Sequence, residues 1–178
     1  MPTLIDRRGP SRRALLAGIG AAGALLVSGA AVMNPREAWG LEVAALKPET
    51  MRTLIVMARD VYPHDRIPDR FYAIAMKPYE TDSAKDPALK ALVEDGVVTL
   101  DTVAKAKHGV AYADLGWEDQ RVAILREIEE SAFFQKVRGG LVVSLYNQEE
   151  VWPIFGYEGS SADKGGYIDR GFNDIAWL

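Results

Sequence analysis

The chain has 178 residues, 21 basic and 25 acidic, and a net charge of −4. Residues 1–40 hold five of the basic and two of the acidic residues, so the remainder carries a net charge of −7. Such a surface repels nucleic-acid phosphates and anionic lipids, which argues against a nucleic-acid role. No cysteine is present, which excludes disulfides, iron–sulfur clusters, thioether-linked haem and thiol catalysis.

The first 40 residues have the pattern of an export signal. Arg12 and Arg13, with two more arginines before them, precede an uncharged run over 14–32 that is rich in Ala, Gly and Leu. This order of segments is typical of a secretory leader. Adjacent arginines indicate the twin-arginine route of bacteria, which exports proteins already folded. The sequence therefore predicts a periplasmic protein with a twin-arginine leader over 1–40.

The fate of this leader is open on the sequence alone. Small residues at Ala38 and Gly40 fit the positions that a signal peptidase recognises, which predicts cleavage before Leu41. Because about 20 apolar residues can span a bilayer, the same run could instead be kept as a membrane anchor. The sequence thus leaves open whether the protein associates with a membrane, either through an uncleaved leader or through a complex.

Apolar residues recur at helical spacing through most of the chain after residue 47, and no stretch alternates as a strand does. Prolines and capping residues mark the boundaries of the segments. The sequence therefore predicts an all-α domain over 41–155 with about five to six helices. They are 48–62, about 68–77 ended by Pro78, 86–106 with a weak point at Gly96, one opened by Glu118 and Asp119, one capped by Ser131 that reaches Leu145, and a short one from Asn147.

The periodicity also predicts which side chains of the later helices face the core. The expected inward positions are Val122, Leu125, Ile128, Phe134, Val137, Leu141 and Leu145.

The last segment, 156–178, differs from the helical part. It is rich in Gly, Ser, Asp and aromatic residues and has no periodicity, yet it holds too many large aromatics for a disordered tail. We expect an extended, ordered arm that lies on the helices or on another protein. Tyr and Trp are favoured interface residues, so the predicted partner contacts are Trp152, Phe155, Tyr157, Tyr167, Phe172 and Trp177. The alternative is that half of them cover the core of this chain.

Few residues suggest chemistry. His64 has Asp60, Asp65 and Asp69 near it in sequence and could be one metal ligand, but this spacing matches no recognised metal motif. The alternative is a loop histidine that hydrogen-bonds a helix end. His108 follows two lysines, which is typical of a helix C-terminus. The glycine-rich arm matches no phosphate loop, and no Ser lies in a nucleophile elbow. We therefore expect no catalytic residue, metal or cofactor in this chain.

Several short motifs resemble a known family. They are the twin-arginine leader, Ala58-Arg59-Asp60-Val61-Tyr62-Pro63, Phe133-Phe134, Gly156-Tyr157-Glu158-Gly159, Lys164-Gly165-Gly166-Tyr167 and the segment from Arg170 to Trp177. Together they resemble the gluconate 2-dehydrogenase subunit 3 family, over nearly all of the chain after the leader. These proteins are small subunits of flavin-dependent dehydrogenases for sugars and related alcohols.

The resemblance implies a helical subunit without a cofactor and without catalytic motifs. It would bind a large FAD-containing subunit of the glucose-methanol-choline type, stabilise it and carry it through the twin-arginine channel. In some members a multi-haem cytochrome c subunit completes the complex. Two other interpretations remain at this point: a free-standing periplasmic binding or scaffold domain, and a small enzyme that uses His64 and its carboxylates.

Overall fold

The structure, a computed structural model, describes residues 43–170 and residue 172. These residues form five α-helices and no strand, which confirms the predicted all-α fold. The helices are α1 (Pro48–Val61), α2 (Asp69–Ser83), α3 (Pro87–His108), α4 (Glu118–Glu127) and α5 (Ala132–Tyr146). Three short 3₁₀ helices cover Tyr112–Asp114, Trp152–Phe155 and Ala162–Lys164. The predictions for Arg12, Arg13 and Trp177 fall outside the described residues.

The first helix, α1, is the centre of the core. It packs against α2, α3, α4 and α5. Its side chains Met51, Leu54, Met57 and Ala58 are fully buried, and buried positions cover most of its circumference. This is the pattern of a helix enclosed by others rather than of one with a single apolar stripe. The loop that follows α1, which contains His64, is therefore attached to the best-packed element of the fold.

The second helix is longer than predicted. The expected helix ends before Pro78, whereas α2 continues to Ser83 with Pro78 inside it. Proline lacks the N–H that would bond to the carbonyl of Ile74, but both residues are exposed, so water can hydrate that carbonyl. Tyr79 and Ser83 are buried beyond the proline, and this burial favours continuation of the helix.

The third helix is unbroken, so the predicted weak point at Gly96 is not a break. Gly96 lies against the ring of Phe133 on α5, where an added Cβ would lie 2.6 Å from Cδ1 and closer still to Cγ and Cδ2. The glycine thus allows α3 and α5 to approach closely. Asp86 caps the N-terminus of α3 by accepting from the N–H groups of Ala88 and Leu89, as its position predicts.

The core faces of α4 and α5 agree in part with the predicted stripes. Ser131 caps α5 by accepting from the Phe134 N–H at 3.1 Å. Leu125, Val137, Leu141 and Leu145 are buried, whereas Val122, Ile128 and Phe134 are only partly buried. Ile124 and Phe133 are buried although the periodicity did not select them. The short helix expected from Asn147 begins instead at Trp152, after a turn.

Two carboxylates hold the segment that precedes α1. Glu80 on α2 accepts hydrogen bonds from the N–H groups of Ala44 and Ala45, both at 2.6 Å, and of Leu46 at 2.9 Å. Glu94 on α3 accepts a hydrogen bond from the N–H of Lys47 at 2.9 Å. Partial burial alone would raise the pKa of Glu80, but the three N–H groups outweigh it and bring the pKa below its ordinary value.

The described part of the C-terminal arm is folded into turns rather than extended. It contains the 3₁₀ helix Ala162–Lys164, and Gly165 after it takes a φ of 79°, in the left-handed region that favours glycine. Glu158 forms ion pairs with Lys164 at 3.3 Å and with Arg170 at 3.2 Å. These contacts bring the end of the described arm back to its beginning.

Candidate interaction surface

Ring-bearing side chains from three segments meet at one end of the bundle. This aromatic cluster consists of Tyr62, His64, Tyr146, Trp152, Phe155 and Tyr157. Tyr146 is central, because the ring centroids of three other members lie 5.9, 5.6 and 5.7 Å from its own. The edge-to-face and tilted geometries are those that aromatic pairs prefer. The structure thus brings His64 into contact with Phe155. Trp152 joins the cluster through its hydrogen bond to the Tyr146 carbonyl, and Tyr157 packs on Trp152.

His64 is a structural member of this cluster. Its Nε2 lies 2.6 Å from the hydroxyl of Tyr146, and its ring stacks edge-on against Phe155 at 5.1 Å. Burial, and then the nearby charge of Arg59, lower the pKa of His64. A lowered pKa favours the neutral imidazole at neutral pH. The loop histidine predicted to bond a helix end bonds a side chain of α5 instead.

The carboxylates near His64 in sequence do not gather around it. Asp60 pairs with Arg121, and Asp69 pairs with Arg59 at 2.7 Å. Among residues 43–170 and 172, no group of three or more His, Cys, Asp or Glu residues is arranged to hold a metal ion. Within the described residues, His64 is therefore not part of a group of side chains that could bind a metal ion.

Asp60 belongs to a buried polar network that sequence reasoning did not identify. Its carboxylate accepts two hydrogen bonds from Arg121, at 2.7 and 2.9 Å, and one from the Tyr112 hydroxyl at 2.7 Å. Arg121 also donates to the carbonyl of Leu115 at 2.7 Å. A bidentate pair of this kind is strong and directional. It joins the end of α1, next to the aromatic cluster, to α4.

The predicted contact residues differ in exposure. Trp152 is partly buried: its Nε1 donates to the Tyr146 carbonyl at 2.8 Å, and its ring lies edge-on to Tyr157 at 5.2 Å. Phe155 is 49% exposed, and Tyr157, Tyr167 and Phe172 are at least as open. Trp152 therefore supports the cluster from within, whereas the others remain accessible.

A second exposed apolar surface adjoins the cluster on the outer face of α5. Val142 and Val143 are 48% and 66% exposed, and Gly139 has open space where a Cβ would be. These residues precede Tyr146 by one and two helical turns, so they share its face of the helix. We call Gly139, Val142, Val143, Tyr146 and Phe155 the α5 patch. Helical periodicity does not predict this patch, because both valines lie next to core residues of the same helix in the sequence.

A small cleft lies between α2 and α5. Its volume is about 140 Å³, and its lining includes Pro78, Tyr79, Lys136 and Ser144. Small-molecule sites usually have about 300–1,000 Å³. The Ser144 hydroxyl is buried without a hydrogen-bond partner, and burial raises the pKa of Tyr79 to about 12. The cleft admits only very small molecules.

Two further residues lie away from these surfaces. His108 is in the last turn of α3, as its sequence context predicts. Trp117, at the N-terminus of α4, is 69% exposed and was not among the predicted contact residues.

Comparisons of the chain with protein-family models, with curated proteins and with solved structures gave no match. The resemblance to the gluconate 2-dehydrogenase subunit 3 family therefore stays a prediction from the motifs. In the part of the chain that the structure describes, no helix combines the length and the hydropathy needed to cross a bilayer.

Proposed function

We propose that this chain is the non-catalytic, exported small subunit of a flavin-dependent dehydrogenase for sugars or alcohols. It binds and stabilises a large FAD-containing subunit and carries it to the periplasm through the twin-arginine channel. In some members of the family that the motifs resemble, a cytochrome c subunit joins the same complex. The substrate pocket and the flavin belong to the large subunit.

The observation that carries the proposal is the exposed aromatic and apolar surface on a well-packed scaffold. Phe155 and Tyr157 are about half exposed although each contacts another ring of the cluster. Rings held in place by neighbours lose little conformational freedom on binding, which favours association. Aromatic residues are also enriched among the residues that dominate protein interfaces. The surface thus suits a protein partner.

Two features of the sequence support the rest of the proposal. The Arg12-Arg13 pair indicates a route that accepts folded cargo, which a bound partner requires. The family that the motifs resemble consists of such escort subunits.

The escort role is tested in a bacterium that carries this gene beside a gene for a leaderless flavoprotein. We expect deletion of this gene to leave the flavoprotein in the cytoplasm, and the full chain on a plasmid to restore it to the periplasm. The variant with Arg12→Lys and Arg13→Lys should not restore it, because paired arginines identify the twin-arginine signal.

Cell fractions are probed for the flavoprotein and for a periplasmic control protein that uses the general secretory route. The control protein should be unaffected in every strain. A flavoprotein that reaches the periplasm without this chain would refute the escort role.

A further inference from the structure

We propose that the large subunit docks on the α5 patch, and that its contacting surface is apolar with carboxylates opposite Lys136 and Arg138, which flank the patch. This inference rests on the proposed function and assigns the contact to α5 and Phe155 rather than to the distal arm around Tyr167 and Phe172.

The apolar part of the patch is continuous. Val142 and Val143 lie on the turn before Tyr146, and the rings of Tyr146 and Phe155 have centroids 5.7 Å apart. Gly139, one turn earlier, presents no side chain, so a partner can approach the helix backbone there. Val142 and Val143 on one side of Tyr146, with half-exposed Phe155 packed on its ring, form an exposed apolar surface of the kind that marks protein contacts.

Two cations border this surface. Lys136 and Arg138 are exposed in the turn that precedes Val142, and neither forms an ion pair with another residue in the described part of the chain. The chain after residue 40 has a net charge of −7, so two exposed cations without an ionic partner are a local exception. Charge complementarity across interfaces predicts carboxylates opposite these two side chains.

The same charges argue against two other occupants. An anionic bilayer attracts clusters of about 4–8 cations, whereas this patch has two on an otherwise acidic chain. A second copy docked face to face about a two-fold axis would contribute the same patch and the same two cations. The patch holds no carboxylate, so such a contact would lack charge complementarity within it. A protein of complementary charge is the occupant that fits.

The test uses the complex of full-length chain and large subunit, purified after co-expression. We expect Val143→Asp to raise the Kd at least tenfold, because a desolvated carboxylate in an apolar contact is costly. Val142→Asp should act in the same direction. Val98→Asp is the matched control, since Val98 is an exposed helical valine on α3 (56%), outside the patch. Its Kd should stay within about twofold of the wild-type value.

Urea unfolding of each chain alone shows whether the variants are folded. All three valines are exposed, so we expect changes within about 0.5 kcal/mol. A charge-reversal variant, Arg138→Glu, tests the edge of the patch. It should slow association more than it speeds dissociation and reduce the dependence of the association rate on salt.

The outcomes separate the docking face from the function. If Val143→Asp binds as tightly as wild type while loss of Tyr167 abolishes binding, the α5 patch is overturned and the proposed function stands. If wild type retains no flavoprotein, both fail. Sedimentation of the full chain alone and with phosphatidylglycerol vesicles tests the other occupants: a dimer, or vesicle binding, that Val143→Asp abolishes would overturn the inference.

Discussion

The contact between Gly96 and Phe133 makes a sharp prediction about stability. In Gly96→Ala the new Cβ would lie 2.6 Å from Cδ1 of Phe133, and closer to two other ring atoms. Carbon atoms pack at about 3.5–4.0 Å, so the ring or α5 must move by about 1 Å or more. Such overpacking costs about 1–3 kcal/mol.

The gain in helix propensity opposes this cost. Alanine is better than glycine in a helix interior by about 1 kcal/mol. Because three ring atoms are too close, the upper end of the overpacking range applies, and we expect Gly96→Ala to lower the free energy of unfolding by about 2 kcal/mol. Gly139→Ala is the matched control: it is also inside a helix, but nothing lies within 4 Å of its added Cβ. It should raise stability by about 0.5–1 kcal/mol.

Urea unfolding of the full-length protein, followed by circular dichroism, measures both changes. The two variants carry the same chemical change, so their opposite signs isolate the packing contribution. A Gly96→Ala protein as stable as wild type, with Gly139→Ala also neutral or stabilising, would refute the close packing of α3 on α5.

Two further predictions concern buried or partly buried charges. Arg121→Met leaves the carboxylate of Asp60 buried without its ionic partner and should lower the free energy of unfolding by about 3–5 kcal/mol. Tyr112→Phe removes only one hydrogen bond to the same carboxylate and should lower the free energy of unfolding by about 1.5–3 kcal/mol. Equal urea midpoints for the two variants would contradict this order. The folded state lowers the pKa of Glu80 below its ordinary value of 4.5. The ionised Glu80 therefore stabilises the fold above pH 4.5, and this stabilisation is lost as the pH falls through the folded-state pKa. Glu80→Gln should therefore be less stable than wild type at neutral pH, and the difference should shrink in urea titrations as the pH falls below 4.5. A difference that stays constant with pH would contradict the role of the ionised carboxylate.

The sequence predicts those features of the fold that depend on residues close together in the chain, and misses those that depend on contacts between helices. The stripe of α5 and its Ser131 cap come from residues three and four apart, and the periodicity identifies them. The predicted end of α2 before Pro78 is wrong because the free-energy cost of a proline inside a helix depends on whether the carbonyl that loses its N–H partner can be hydrated. That depends on the exposure of this face of α2, which the local sequence does not give. Gly96 misleads for a similar reason, since its tight partner is Phe133, on another helix.

The candidate surface shows the same division. Composition alone identifies Phe155 and Tyr157 as large aromatics without a helix to cover them. Sequence reasoning does not find Val142 and Val143, because an exposed valine next to a core leucine has no local signal. Nor does it find the partner of Asp60, since Arg121 lies 61 residues away and the two meet only when α4 packs on α1.

Affinity purification of this chain measures most directly whether it binds a flavoprotein. The full-length chain with a C-terminal tag is co-expressed with the genes that neighbour its own, and the eluate is examined by mass and visible absorbance. We expect a large subunit near one-to-one with the tagged chain and the absorbance of bound flavin. A colourless eluate that holds the tagged chain alone would contradict the proposed function.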